Sequence, residues 1–219
     1  MYRSLLTAWH QSSGAVWESC LDSEVVAHYG ESEDSLTDSP RDLALIDLSP
    51  LPRLGIKGSE PERWLQPQGY TIDEALNKAY RQEDGSLICR LSTNELLWLS
   101  GLHSPTRVDE MSQPDARCYP LARQDSHVEC LIVGRSSANM MAKLCGVDLT
   151  PQAFENLKVA QTSVARLSAI IVRADIAAYP GYRILVDSAS ARYFWQCLLD
   201  AMAEYDGKVV GFRALAQTT

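Results

Sequence analysis

Asp125–Gly146, DSHVECLIVGRSSANMMAKLCG, decides the fold. An Asp-Ser phrase leads into a strand that takes in the apolar run Glu129–Val133. Gly134 supplies a turn. Ser136 or Ser137 is placed to cap a short helix, and Gly146 is placed to stop it. The stretch Asp47–Gly69, DLSPLPRLGIKGSEPERWLQPQG, has the same grammar. Here Asp47 and Ser49 precede a strand over Leu54–Lys57, Gly58 turns it, Ser59 and Glu62 fit a capping box, and Gly69 ends the helix. A unit repeated at this distance sets the architecture before any single residue's chemistry does.

Further elements follow from each copy. In the first, Leu43–Leu48 is an apolar run suited to a buried strand. Ile72, Ala75, Leu76 and Ala79 have helical spacing. Asp84-Gly85 signals a turn, Leu87–Leu91 alternates as a strand, and NELLWLSGL reads as a short turn plus a strand. In the second, Ala160–Leu167 and Ala169–Arg173 are strands joined by a tight turn, and Gly181–Val186 is another. Ser188 or Ser190 then opens the strongest helix. Its residues Ala191, Phe194, Trp195, Leu198, Leu199 and Met202 form one apolar stripe, closed by Gly207. The predicted fold class is α+β: two pseudo-symmetric β-α-β-β-α-like halves with mostly antiparallel sheets, together forming one domain. The predicted boundaries are an arm at 1–42, a first half at 43–100, a connector at 101–120 and a second half at 121–219. Within the arm, Gly30–Asp42 is acidic and Ser-rich and is expected to be mobile. The apolar Trp9, Val16, Trp17, Leu21, Val25 and Val26 before it are expected to dock on the body.

Composition excludes several classes. The net charge of −8 argues against nucleic acid or an anionic membrane, both of which require a basic face. No apolar run has the length of a membrane span, and the opening MYRSLLTAWH is too short for a secretory signal core. The expected location is the cytoplasm. The six cysteines contain no C-x-x-C pair, and several sit in apolar runs, so they read as buried reduced thiols.

Catalytic grammar is sparse. There is no G-x-G-x-x-G, no phosphate-binding P-loop and no G-x-S-x-G. His10, His28, His103 and His127 are scattered. His127 and Cys130 have a loose ligand spacing, but on a strand that spacing puts them on opposite faces. Asp47 with Ser49, and Asp125 with Ser126, recur ahead of each strand. Their repetition favours side chains that hold local backbone N–H groups over a catalytic carboxylate. Arg53, Arg135 and Arg173 read as surface or interface ion-pair residues.

Five phrases together carry a resemblance: LGIKGSEPERWLQPQG, LICRLSTNELLWLSG, DSHVECLIVGRSSANMMAKLCGVDLTPQAF, LKVAQTSVARLSAIIVRAD and GYRILVDSASARYFWQCLLDA. In this order they resemble the gamma subunit of heterotetrameric sarcosine oxidase, in the fold group of the glycine-cleavage T-protein, a folate-binding aminomethyltransferase. The similarity covers about Leu43–Glu204. The resemblance implies a subunit without catalytic, cofactor-binding or metal residues of its own. It would pack against larger subunits, alpha in particular, which are expected to carry flavin (FAD and FMN), NAD and tetrahydrofolate. Trp9, Trp17, Met140 and Met141 are then candidate partner contacts, and Asp47, Gly58, Asp125, Gly134 and Gly146 form a structural signature. Folate-binding relatives carry an acidic pair in a glycine-rich turn, where this chain has Tyr179-Pro180 within Arg173–Ile184. That departure points away from folate binding by this chain alone. The alternatives are a stand-alone folate-binding, aminomethyltransferase-like protein and a scaffold protein with the same fold.

Overall fold

The computed structural model describes residues 2–30, 43–65, 69–106 and 117–216. In chain order the elements are α1 (Thr7–Ser12), β1 (Ala15–Cys20), β2 (Ser23–Tyr29), β3 (Ala44–Asp47), β4 (Arg53–Gly58), α2 (Pro61–Leu65), β5 (Lys78–Arg81), β6 (Leu87–Ser92) and β7 (Glu95–Leu99). They continue as β8 (Cys118–Ala122), α3 (Arg123–Ser126), β9 (His127–Val133), α4 (Ser137–Met141), β10 (Val159–Val164), β11 (Leu167–Arg173), β12 (Gly181–Asp187), α5 (Ala191–Met202), β13 (Lys208–Val209) and α6 (Arg213–Ala216). The fold is mixed α+β. Its ladders are antiparallel except for the β13–β3 pair.

The repeat in the sequence appears as two sheets of matching order. One runs β5-β6-β7-β4-β8 and the other β10-β11-β12-β9-β3-β13. In each, a strand precedes a short helix, and three antiparallel strands follow it. The fifth position is exchanged. β3, which immediately precedes β4, pairs with β9 in the other sheet, and β8, which precedes β9, pairs with β4. The sheets therefore divide the chain differently from the predicted boundaries, since Cys118–Pro120 of the expected connector lie in a strand of the first sheet.

The two sheets lie face to face. Along β6 and β7, Leu87, Cys89, Leu91, Leu97 and Leu99 meet Val159, Val172 and Leu185 of the other sheet. The alternate residues Ile88, Leu96 and Trp98 pack with Leu65 of α2 on the outer face. Period-two alternation with both faces covered explains why the run LLWL is wholly apolar. On the far side of the second sheet, Cys130, Ile132, Tyr182 and Ile184 pack with Met140, Met141, Phe194, Trp195 and Leu198. The predicted α5 stripe is buried except for Leu199, which is half-buried.

Several local expectations are corrected. The helical spacing at Ile72–Ala79 produces no helix, because Gln82 ties Thr71 through both its N–H and its carbonyl, and Asn77 takes a left-handed φ of 54° into β5. The turn between β10 and β11 falls at Ala165 and Arg166, both with positive φ, a place where neither residue type signals a turn. α5 opens after a turn capped by Asp187, which accepts from the Ala189 N–H, rather than by a serine. It is closed by Asp206 at φ 48° rather than by Gly207. α4 ends at Met141, well before Gly146, whose φ is not positive. Of residues 1–42, those from 2 to 30 form a helix and a hairpin. The acidic segment beyond Gly30 lies outside the described residues.

Gly58 has a different reason from the expected turn. A Cβ there would sit 2.0 Å from the Arg117 carbonyl oxygen and 2.5 Å from Cys118 Cα, where the exchanged strand β8 crosses β4. Gly58→Ala is expected to destabilise the protein by about 1–3 kcal/mol, as overpacking against backbone does. The denaturant midpoint measures it, and an unchanged midpoint would contradict this account of the strand exchange.

Candidate functional site

Alternation along β9 and β12 puts Glu129 and Arg183 on the face that looks toward the other sheet. Arg53, at the start of β4, reaches the same layer. Arg53 and Glu129 have no exposed side-chain surface, and Arg183 almost none. The two crossing segments run past Arg53: residues 48–52 carry the chain from β3 to β4, and α3 carries it from β8 to β9. Arg53 joins them. Its Nη1 donates to the carbonyls of Ser49 and Leu51, both at 3.0 Å. Its Nε donates to Arg123 O at 3.1 Å, and its Nη2 to Gln124 O at 3.0 Å and to His127 O. All five guanidinium N–H groups thus end on main-chain carbonyls. Burial draws the Arg53 pKa down, and the Glu129 carboxylate, 3.8 Å away, opposes that pull. Arg183 pairs with the other oxygen of Glu129.

A second buried array holds the N-terminal hairpin. His10 is fully buried beneath Trp9, Trp17 and Trp195, its ring 5.3, 5.9 and 5.4 Å from theirs. One ring nitrogen lies 2.7 Å from the Tyr29 hydroxyl and the other 2.8 Å from Asp47 Oδ2. Asp47 Oδ1 accepts the Ser49 N–H at 2.9 Å. Burial alone would raise the Asp47 pKa, but hydrogen bonds from His10, Ser4 and Ser49 and the charge of His10 bring it below the usual carboxylate range. Burial, helped by Asp47, pushes the Tyr29 phenol well up. A tyrosine held protonated and a carboxylate held ionised make a fixed hydrogen-bonded clamp.

The structure brings Asp47, His10 and Tyr29 together, a grouping hidden in the sequence because the three residues come from three different elements. Asp47 holds the Ser49 N–H as the turn chemistry implied. Its counterpart Asp125 is exposed, while Ser126 meets the Ala122 carbonyl and His127 Nδ1. Gly134 turns the chain at φ 138°. Arg53 and Arg173 are buried, not surface residues, whereas Arg135 is exposed above the Tyr179 ring. Met140 and Met141 are fully buried in the core of this chain and present no surface to a partner. Trp9 is half-buried against Trp195, and Trp17 lies under Arg3. The four cysteines Cys89, Cys118, Cys130 and Cys145 are buried thiols, and Cys89 is pushed by burial up to about 12. Among the described residues no three His, Cys, Asp or Glu side chains group as a metal site. None of the described helices is long and apolar enough to cross a membrane.

Paired sheets with an exchanged strand, bolted by a buried arginine, define the architecture to which known proteins can be compared. The chain belongs to the GCVT N-terminal domain family, which matches it over residues 6–218. No curated protein matches it. Among solved structures it is similar to the glycine cleavage system aminomethyltransferase T from Bartonella henselae, with TM-score 0.74 and 14% identity over 99% of this chain and 61% of that one. It is also similar to a chain of the heterotetrameric sarcosine oxidase from Corynebacterium sp. U-96, solved in complex with pyrrole 2-carboxylate. There the TM-score is 0.65 and the identity 18%, over 76% of this chain and 87% of that one. The chain thus spans about three-fifths of the aminomethyltransferase. At these identities the likeness establishes the fold.

Two measurements check the site. Arg53→Lys keeps one charge but, with three donors at a single point, leaves at least two of the five carbonyls unbonded, and should cost about 3 kcal/mol or more in unfolding free energy. A loss below about 1 kcal/mol would show that the crossings hold without it. His127 is lowered to about 4, first by burial and then by Arg123 and Arg53. Its model-peptide value is 6.5, so above that pH the ring is neutral in both folded and unfolded chains. As pH falls from 6.5 toward 4 the unfolded chain takes up a proton that the native state refuses, and stability drops. Thermal melts of His127→Asn across that window should show a shallower decline than the parent; parallel curves would refute the assignment.

Proposed function

We propose that this chain is a non-catalytic subunit of a flavin-dependent oxidase complex acting on sarcosine, and that it packs against a larger subunit. The likeness to a chain of the heterotetrameric sarcosine oxidase supports this reading, together with the ordered phrases from LGIKGSEPERWLQPQG to GYRILVDSASARYFWQCLLDA. In this reading FAD, FMN, NAD and tetrahydrofolate belong to the partner subunits. Within the chain, the ionisable groups of the interior serve the fold. Arg53 bonds carbonyls, His10 bonds Asp47 and Tyr29, and Arg173 takes both oxygens of Asp175.

The observation that carries the packing role is an apolar groove of about 350 Å³ between α1 and α5, lined by Leu5, Ala8, Trp9 and Trp195 with Arg192 and Gln196 at its edge. Leu5 is half exposed there. A contiguous apolar surface of this kind fits an interface. Trp9, expected at a partner contact, lies in it.

A folate-binding, aminomethyltransferase-like role is the alternative, favoured by the similarity to aminomethyltransferase T over nearly the whole chain. Against it, the carboxylate of the β11–β12 loop, Asp175, is already neutralised by Arg173. Affinity capture from an extract of the source organism tests the main reading. The full chain should retain a yellow flavoprotein that oxidises sarcosine, and Leu5→Glu should reduce that retention about tenfold with an unchanged melting temperature. Sarcosine turnover by the isolated chain, or tight tetrahydrofolate binding without a flavoprotein partner, would overturn it.

A further inference from the structure

The groove between α1 and α5 is lined by one charged residue. Leu5, Ala8, Trp9 and Trp195 supply its apolar wall, and Arg192 is exposed at its edge. The chain as a whole is acidic, with 28 Asp and Glu against 20 Lys and Arg, so a cation beside this groove reverses the prevailing charge. Arg192 makes no ion pair among the described residues. It also stands in the first turn of α5, a helix of twelve residues whose peptide dipoles put their positive end there. That turn contains no Asp or Glu, and Ser190 ahead of it gives no side-chain cap. Asp187, on the turn before the helix, accepts the Ala189 N–H. A guanidinium at the positive end of a helix is locally unfavourable, and an anion arriving from outside relieves both charges at once.

The shape of the groove narrows the occupant. α1 and α5 touch through Trp9 and Trp195, whose rings are 5.2 Å apart, and the seam above that contact is open to solvent, with Leu5 50% exposed and Ala8 exposed as well. Its volume of about 350 Å³ has room for a few aliphatic side chains. Neighbouring helices leave a seam of this kind for the side-chain ridge of a third helix.

Charge separates the remaining candidates. A second copy of the chain brings another net charge of −8 against the first. A free fatty acid matches the guanidinium, but the open side of the groove would leave its tail in water. A helix of another protein covers that side with its own backbone and presents a planar carboxylate to the guanidinium. We propose that the groove receives an amphipathic helix of the partner subunit, its apolar side chains against Leu5, Trp9 and Trp195 and a carboxylate beside them on Arg192. This rests on the subunit reading above and adds the chemistry of the partner's contacting segment.

The test uses two labelled helical peptides of about fourteen residues with the same stripe of leucines, differing only in one residue beside the stripe, Glu in one and Lys in the other. Fluorescence anisotropy follows their binding to the full chain. The Glu peptide should bind with a dissociation constant on the order of 100 μM, and the Lys peptide about fivefold more weakly or worse. Arg192→Glu should keep or slightly raise the melting temperature, since an acid suits the first turn of a helix, and should reverse the preference. Equal affinities, a preference unmoved by Arg192→Glu, saturable binding of octanoate without either peptide, or a dimer of the chain that Arg192→Glu dissociates would each overturn the proposal. Flavoprotein capture with the same variant separates the two readings. Equal retention by parent and Arg192→Glu overturns the helix proposal and leaves the subunit reading standing. Peptide discrimination by a chain that captures no flavoprotein overturns the subunit reading and leaves the helix-binding groove standing.

Discussion

One buried guanidinium decides whether this fold can exist. Exchanging a strand between two sheets requires two crossing segments, and segments that cross between layers turn their carbonyls inward, where no ladder receives them. Unpaired buried carbonyls carry a heavy penalty. Arg53 answers five of them at once, two on one crossing and three on the other. Gln124 adds its amide to the carbonyls of Ser49 and Pro50, at 3.3 and 3.2 Å. The hydroxyl of Ser49 meets the backbone of Glu129. Lysine, a point charge with three donors, has neither the number nor the spread of N–H groups that this position uses.

The N-terminal hairpin depends on the same neighbourhood. Asp47 ends β3 just before the first crossing, and His10 reaches it from α1. The hairpin is fixed again at the other end of the chain. The Phe212 N–H bonds the Val26 carbonyl at 2.7 Å, and a Cβ on Gly211 would stand 2.0 Å from the Ala27 carbonyl oxygen. Glycine is required there by close approach. The hairpin is therefore held both by His10 through Tyr29 and by the Gly211–Phe212 segment through Val26.

Much of the architecture was legible because it rests on local rules. Alternation at Leu87–Leu91 gave β6, strand-length runs bounded by turn residues gave β7, β9 and β12, and the period of α5 gave its buried face. The doubling of the Asp–strand–Gly–helix phrase gave the repeat. The exchange of β3 and β8 was not legible. A strand's pattern states that both its faces are covered but not by which neighbours. The Ala165-Arg166 turn was hidden because neither residue prefers positive φ, and tertiary contacts hold it: the Ala165 N–H meets the Leu144 carbonyl, and the Tyr193 hydroxyl meets the Ala165 carbonyl. Arg53 and Arg173 read as surface or interface ion-pair residues because burial of an arginine depends on distant carbonyls and carboxylates that spacing alone does not reveal. Met140 and Met141 misled for the opposite reason: a methionine pair fits a core and an interface equally well.

The strand exchange also bears on how the polypeptide is made. When the ribosome releases β4–β7, their sheet lacks its last member, and β3 is waiting for β9, whose paired residues lie 83–89 positions further along. Any sheet that forms before β8 and β9 emerge has an open edge, and edges of that kind invite pairing with other nascent chains. Closing so many distant contacts is slow. Neither repeat is self-sufficient; a gene encoding one alone would yield a sheet missing its borrowed strand.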